Sequence, residues 1–292
     1  LRSGDVDIVS TIYAQLIKDF AHQPGFTLVT DASQNSGEPL VNFIMLNNDA
    51  PPLNDVRVRR ALAHATNQQV VVDDVFEGLG QAVSGPFVPG NPWYVPTGYP
   101  SYDPAQARAL VRSYERDHGP VSFEFGTVNS STDLQVNQLL QQMWQQVGIR
   151  TQIRQFEQTQ YIANALLGHY QAYAWMQFDT PDPDGNYVWW SMANARPIGQ
   201  LALNFARLRD RQIQAAMDTG RTNPDPSVRL RAYQQVGRRL GADCPYIWLS
   251  RAVTGAVASS SVRNFNNPVL PNGRPGGRFS QGVIPLSHAW KA

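Results

Sequence analysis

Between residues 121 and 178 the sequence changes period four times. "VSFEFGT" (121–127) alternates apolar and polar residues, as a half-buried strand does. "TDLQVNQLLQQMWQQVG" (132–148) carries the helical repeat and stops at Gly148. "IRTQIRQF" (149–156) alternates again, "EQTQYIANALLG" (157–168) is helical, and "YQAYAWMQF" (170–178) returns to strand. Strand and helix in strict alternation restrict the chain to an α/β fold with crossover helices.

The rest of the chain fits that frame. "LVNFIML" (40–46) is an apolar run of strand length, suited to a buried strand. In "NDVRVRRALAHATNQQVVVDDVF", Asn54 or Asp55 can cap a helix, and Val58, Ala61, Leu62, Ala65 and Val72 recur at helical spacing. The pattern predicts one helix over 57–76, with His64 a packing or surface residue. Asp103 as N-cap and Pro104 at the first helical position open another helix. Two more are expected near 207–219 and 226–242, followed by strands in "PYIWLSR" and "AVTGAVA". "SGPFVPGNPWYVPTGYPSY" (84–102) and "NNPVLPNGRPGG" read as loops, the second as a loop or mobile arm. The opening "LRSGDVDIVSTI" reads as a helix end with Gly4 in a C-cap-like place, then a short strand on Val6, Ile8 and Val9; it looks like the middle of a domain.

Composition excludes several classes. Of 292 residues, 42% are hydrophobic and 16% charged, and the net charge is +1. That is globular, without the basic stripe or acidic tail that suggests nucleic acid or a polycationic partner. No apolar run nears the roughly 18 residues of a membrane span, and the first residues are no signal peptide. Cys244, alone, is expected to be a buried small hydrophobe rather than a nucleophile. "DTPDPDG" superficially suggests a calcium loop. With Gly185 at loop position 6, however, the twelfth place falls on Ser191 where a bidentate Glu is needed. There is no Walker A sequence, no G-x-S-x-G and no clustered histidine. A carboxylate-based hydrolase using Asp179 and Asp182 is a remote reading, because the sequence does not set the separation that mechanism requires.

"PPLNDVRVRRALAHATNQQVVVDDVFEGLGQAVSGPFVP" resembles the family 5 extracellular solute-binding proteins of ABC transporters. Their pattern is a strand ending in Asn, then Pro-x-x-(Asn/Asp)-x-x-Val-Arg-x-Ala-x-x-x-Ala, an apolar helix, and Gly-x-Gly-x-x-Ala before Gly-Pro. The sequence departs at Asn67-Gln68, where the family usually has an acid and a base. "SGDVDI", "YDPAQARALV", "QLLQQMWQQVGIRTQIRQFEQTQYI" and "DCPYIWL" resemble further family segments, in order. The resemblance implies an α/β, periplasmic-binding-protein-like fold of two lobes (type II). Residues 1–46 would be the tail of lobe I, 47–254 lobe II, and 255–292 the return into lobe I. It implies a fragment of a longer, monomeric, extracytoplasmic protein whose missing part carries a signal peptide and, in many members, a lipidated cysteine. It implies no enzyme and no cofactor: a receptor that takes peptides between its lobes and delivers them to a membrane permease. The alternative is the same fold holding an oligosaccharide or other non-peptide solute.

The resemblance also implies a site. Asp179, three residues before Asp182-Pro183, resembles the aspartate that pairs with a peptide's α-ammonium. Trp175, Met176, Gln177 and Phe178 lead to it along a strand. Trp175 stands four residues before Asp179 rather than three, which implies a one-residue bulge. Asp182 is read as a turn-former. Dipeptide binders carry an Arg between the strand at 121–127 and the next helix; "GTVNSSTD" has none, which puts a fixed carboxylate clamp in doubt. Asn129, Ser130 and Ser131 there can offer amide and hydroxyl bonds to a ligand or cap the helix. Tyr187, Trp189 and Trp190 can stack on a sugar or fill the core.

Overall fold

The computed structural model describes residues 1–30, 40–178, 180, 182–252, 254–266, 269–276, 284 and 286–292. Along the chain run β1 (Ile8–Thr11), α1 (Ala14–Ala21), β2 (Phe26–Thr30) and β3 (Val41–Leu46). Next come α2 (Val56–Ala65), α3 (Gln68–Asp74), β4 (Gln81–Ala82) and α4 (Pro104–His118). The alternating stretch becomes β5 (Ser122–Val128), α5 (Ser131–Gln145), β6 (Arg150–Phe156), α6 (Gln158–Leu167) and β7 (Ala172–Gln177). Then follow α7 (Tyr187–Trp190), α8 (Arg211–Thr222), α9 (Pro226–Asp243), β8 (Tyr246–Arg251), β9 (Gly255–Ser259), β10 (Val262–Arg263) and β11 (Trp290–Lys291).

The helix starts follow side-chain chemistry. Asp103 accepts from the backbone N–H groups of Ala105 and Gln106, and Pro104 begins α4. Asp210 accepts from Gln212 and Ile213, so α8 begins at Arg211, four residues later than its apolar spacing suggests. Gly148 (φ +97) and Gly168 (φ +75) follow α5 and α6 in the left-handed region that a side chain resists. The expected helix over 57–76 is two helices. Asn67 accepts from Val70 N–H and restarts the chain as α3, while the Gln68 amide donates to the carbonyls of Val83 (2.9 Å) and Trp248 (3.0 Å). The apolar period hides this break because Val71 and Val72 are buried on the second helix as Leu62 and Ala65 are on the first. Gly4 closes a turn on the Leu1 carbonyl (3.1 Å).

Among the described residues, six strands form the larger sheet in the order β4-β8-β3-β7-β5-β6. β5 pairs in parallel with β6 and β7; β3 runs antiparallel to β7 and β8. β3 is buried on both faces. Ile44 and Leu46 pack with Val58, Val111 and Leu140 of the helices on one side. Phe43 and Met45 pack with Ala165, Met217 and Val236 of those on the other. The result is a three-layer α/β/α core. β9 joins β1 and β2 in a separate antiparallel sheet. β3 thus lies at the centre of the larger sheet, between β7 and β8. No helix among the described residues is long and apolar enough to cross a membrane.

Candidate functional site

The carboxyl ends of β5, β7 and β8 and the start of β3 meet at one rim of the larger sheet. Strand ends of this kind are where open α/β sheets leave a crevice. Here Val128, Met176 and Arg251 border a cleft of about 340 Å³. Tyr13 and Ile17 at the start of α1 form the facing wall, and the first turns of α5 and α6 add Asp133 and Gln158. The facing wall is anchored. Ile17 packs on Gly255, where a Cβ would stand 3.0 Å from Ile17 Cγ1. Lys18 Nζ lies 3.3 Å from Glu77 Oε2 beside the cleft.

The structure separates the residues singled out from the sequence. Trp175, Met176 and Ser130 line the cleft. Trp175 is steadied there by ring stacking on Tyr161 (centroids 5.5 Å apart) and by donating its Nε1–H to Gln177 Oε1 at 3.2 Å. Ser130 is the N-cap of α5 and accepts from Asp133 N–H. Ser131 is the exposed first residue of that helix, and Asn129 accepts a long bond (3.4 Å) from Gln155 beside it; neither borders the cleft. Phe178 is buried, stacked on Phe43 with centroids 5.0 Å apart, so its side chain packs in the core. Asp179 lies outside the described residues. The bulge implied by the Trp175 spacing does not occur in β7, whose register with β3 is unbroken from Ala172 to Gln177. The chain turns at Phe178 instead, at φ +70, which a bulky residue adopts only when its surroundings hold it there.

The remaining acids of the 179–184 stretch are committed to structure. Asp182 accepts from Asp184 N–H at 2.9 Å, the expected turn-forming role, and pairs with Arg229 of α9 at 2.6 Å. Asp184 pairs with Arg221 of α8 at 2.9 Å, and that guanidinium lies 3.7 Å over the Tyr187 ring. Trp190 is buried and Trp189 packs on Phe205. Tyr187 donates to Asp218 at 2.9 Å. None of these three aromatics borders the cleft. No three His, Cys, Asp or Glu residues come together as a metal site among the described residues. Cys244 is buried, and burial pushes its thiol up to about 12, far from the thiolate a nucleophile needs.

Sequence reasoning missed the two charged residues of the cleft. Asp133 and Arg251 are the charged side chains on its border. Burial raises the Asp133 carboxyl above its ordinary value, offset in part by the Ser130 hydroxyl. The Nε–H of Arg251 is buried with no acceptor among the described residues. The signal for Arg251 was a charge closing the apolar run "PYIWLSR" at its carboxyl end, where ligands meet such sheets.

The family model described as bacterial extracellular solute-binding proteins, family 5 Middle, matches residues 1–197. The chain belongs to this family. A di/tripeptide-binding protein of Pseudomonas aeruginosa is 26% identical over 274 residues, a match covering 91% of this family 5 chain and 49% of that protein. The chain thus spans about half the length of the curated relatives it matches. Among solved structures, a periplasmic binding protein from Helicobacter pylori in complex with the peptide STSA superposes with a TM-score of 0.80 at 21% identity, covering 91% of this chain and 51% of that one. The oligopeptide-binding protein of Bacillus subtilis, in complex with a nonapeptide, gives a TM-score of 0.80 at 16% identity, covering 100% and 57%. These likenesses show the fold: α/β, of the periplasmic-binding-protein type. The relatives are solute-binding proteins rather than enzymes.

Proposed function

We propose that this family 5 chain serves a peptide receptor of an ABC importer, extracytoplasmic and anchored by lipid, which captures its solute in the cleft and passes it to a membrane permease. The observation that carries this reading is the cleft itself. It lies at strand ends of a family 5 fold, its volume falls in the range of about 300–1,000 Å³ typical of small-ligand sites, and its wall mixes apolar side chains with few polar ones. A peptide backbone needs strand-like main-chain bonds, which exposed strand ends provide without regard to side-chain identity. The curated relatives named for di- and tripeptides support the solute class. Tyr187, Trp189 and Trp190 stand away from the cleft, so the aromatics that suggested an oligosaccharide do not line it.

Asp179 is our choice for the partner of the peptide's α-ammonium, on the resemblance alone. Burying an ammonium is tolerable only when it is paired and hydrogen-bonded. Calorimetric titration of short peptides should therefore show binding that Asp179→Ala weakens by at least about tenfold. Unchanged affinity would remove Asp179 from the site. Binding of oligosaccharides in place of peptides would replace the solute class.

A further inference from the structure

We propose that Arg251 is the carboxylate clamp of the cleft, and that the cleft takes a solute with a carboxylate at the Arg251 end and a cationic group at the Asp133 end. This deepens the peptide reading and rests on the cleft being the solute site.

Three observations carry it. The two charged side chains of the cleft border have opposite sign and come from opposite places, Arg251 from the end of β8 and Asp133 from the first turn of α5. Neither takes part in an ion pair among the described residues. Both are partly withdrawn from water, and Arg251 Nε–H is buried without an acceptor. Leaving a buried guanidinium N–H unmade is costly. A planar guanidinium presents paired N–H groups that match a carboxylate in two parallel bonds, which makes it the natural recipient of that group.

The rest of the cleft agrees. Met176, Ile162, Leu249 and Val136 are apolar and contribute no competing charge, so Arg251 and Asp133 are the charges along this wall that bear on orientation. The stretch "GTVNSSTD" supplies an acid and no base. Polarity at the α5 end is thereby the reverse of a carboxylate site: Asp133 repels an anion there, and the clamp is Arg251, more than a hundred residues further along the chain.

The test changes the ligand before the protein. Isothermal titration compares a short peptide with a free carboxyl end against the same peptide as its C-terminal amide. The wild type should bind the free acid at least about tenfold more tightly. Arg251→Gln should lose that preference, so that acid and amide bind alike. Arg251→Lys, which keeps charge but not the fork, should retain part of it. Far-UV circular dichroism and thermal melts confirm that both variants fold. Equal binding of acid and amide by the wild type would overturn the proposal and leave peptide capture intact, as would an acid preference that survives Arg251→Gln. If peptides fail to bind, a thermal-shift series of non-peptide amino-carboxylates and their amides separates the two ideas. Stabilisation by the acids that depends on Arg251 keeps the clamp and discards the peptide. No stabilisation by any carboxylate overturns the clamp as well.

Discussion

Two arginines sit in regions of opposite character. Arg207 lies behind α6, buried, at φ +53, and has no carboxylate partner among the described residues. Its two terminal nitrogens donate to four carbonyls: Ala165 (3.3 Å), Phe205 (2.9 Å), Leu166 (3.0 Å) and Gln200 (3.3 Å). Two of these belong to the last turn of α6, whose carbonyl end is partially negative; Ala165 and Leu166 also accept from the N–H groups of Gly168 and Ala202. Arg251, on the cleft, has no such cage. Both arginines leave a buried Nε–H without an acceptor among the described residues; they differ at the terminal nitrogens, which Arg207 spends on carbonyls of the fold. The difference separates a charge that holds the fold from one left available to a ligand: closed sites should cost stability when altered, and open sites should cost binding.

The sharpest way to break this contrast is Arg207→Met. It removes four hydrogen bonds from a charged donor, while the carbonyls of Ala165, Leu166 and Phe205 keep bonds from Gly168 N–H, Ala202 N–H and the Tyr170 hydroxyl, so urea unfolding should show a loss of about 3 kcal/mol. A loss under about 1 kcal/mol would mean that water reaches those carbonyls and that the cage is not closed. Gly168→Ala probes the same cage from its wall. An added Cβ would stand 2.4 Å from Arg207 Cζ, and the backbone there is left-handed (φ +75). Strain and clash together should cost about 2 kcal/mol. In the Arg207→Met background the clash term should shrink, because methionine bends where the guanidinium is held by its bonds. Equal cost in both backgrounds would locate the whole effect in the backbone.

The same division explains what the sequence could disclose. β5 to β7 with their crossover helices were legible because alternation, helical spacing and terminal glycines are local properties. α1 and β2 were not read: α1 has eight residues and one fully buried side chain, Ile17, too short a repeat to stand out. The sheet partners of β3 are β7 and β8, more than a hundred residues away, and no local pattern carries that pairing. The site divides likewise. Ser130 capping α5 and Asp182 closing its turn follow from local chemistry. That Phe178 turns inward onto Phe43 depends on the backbone twist after β7, and that Arg251 and Asp133 share one cleft depends on the sheet order. The acids of "DTPDPDG" drew notice by their density, yet Asp182 and Asp184 neutralise arginines of α8 and α9.

Asp133→Asn gives the smallest expected effect, and its sign carries the argument. Burial removes water from the Asp133 carboxylate with no cation to replace it, so its folded-state pKa is raised. The folded protein then holds the proton more tightly than the unfolded chain does. Ionised Asp133 is a penalty on folding, absent below the ordinary carboxylate pKa of about 3.9, growing as pH rises through the raised value, and constant above it. The favourable field at the start of α5 softens this penalty, and its half-exposed position allows solvent to screen it. Asparagine should therefore raise stability by a few tenths of a kcal/mol at neutral pH and by nothing below about pH 3. Thermal melts across that range measure it. The same variant should weaken any solute whose cationic end reaches Asp133, so stability and binding move in opposite directions. Were stability to fall instead, Asp133 would serve α5 as Asp182 serves its turn, and the open character of the cleft would rest on Arg251 alone.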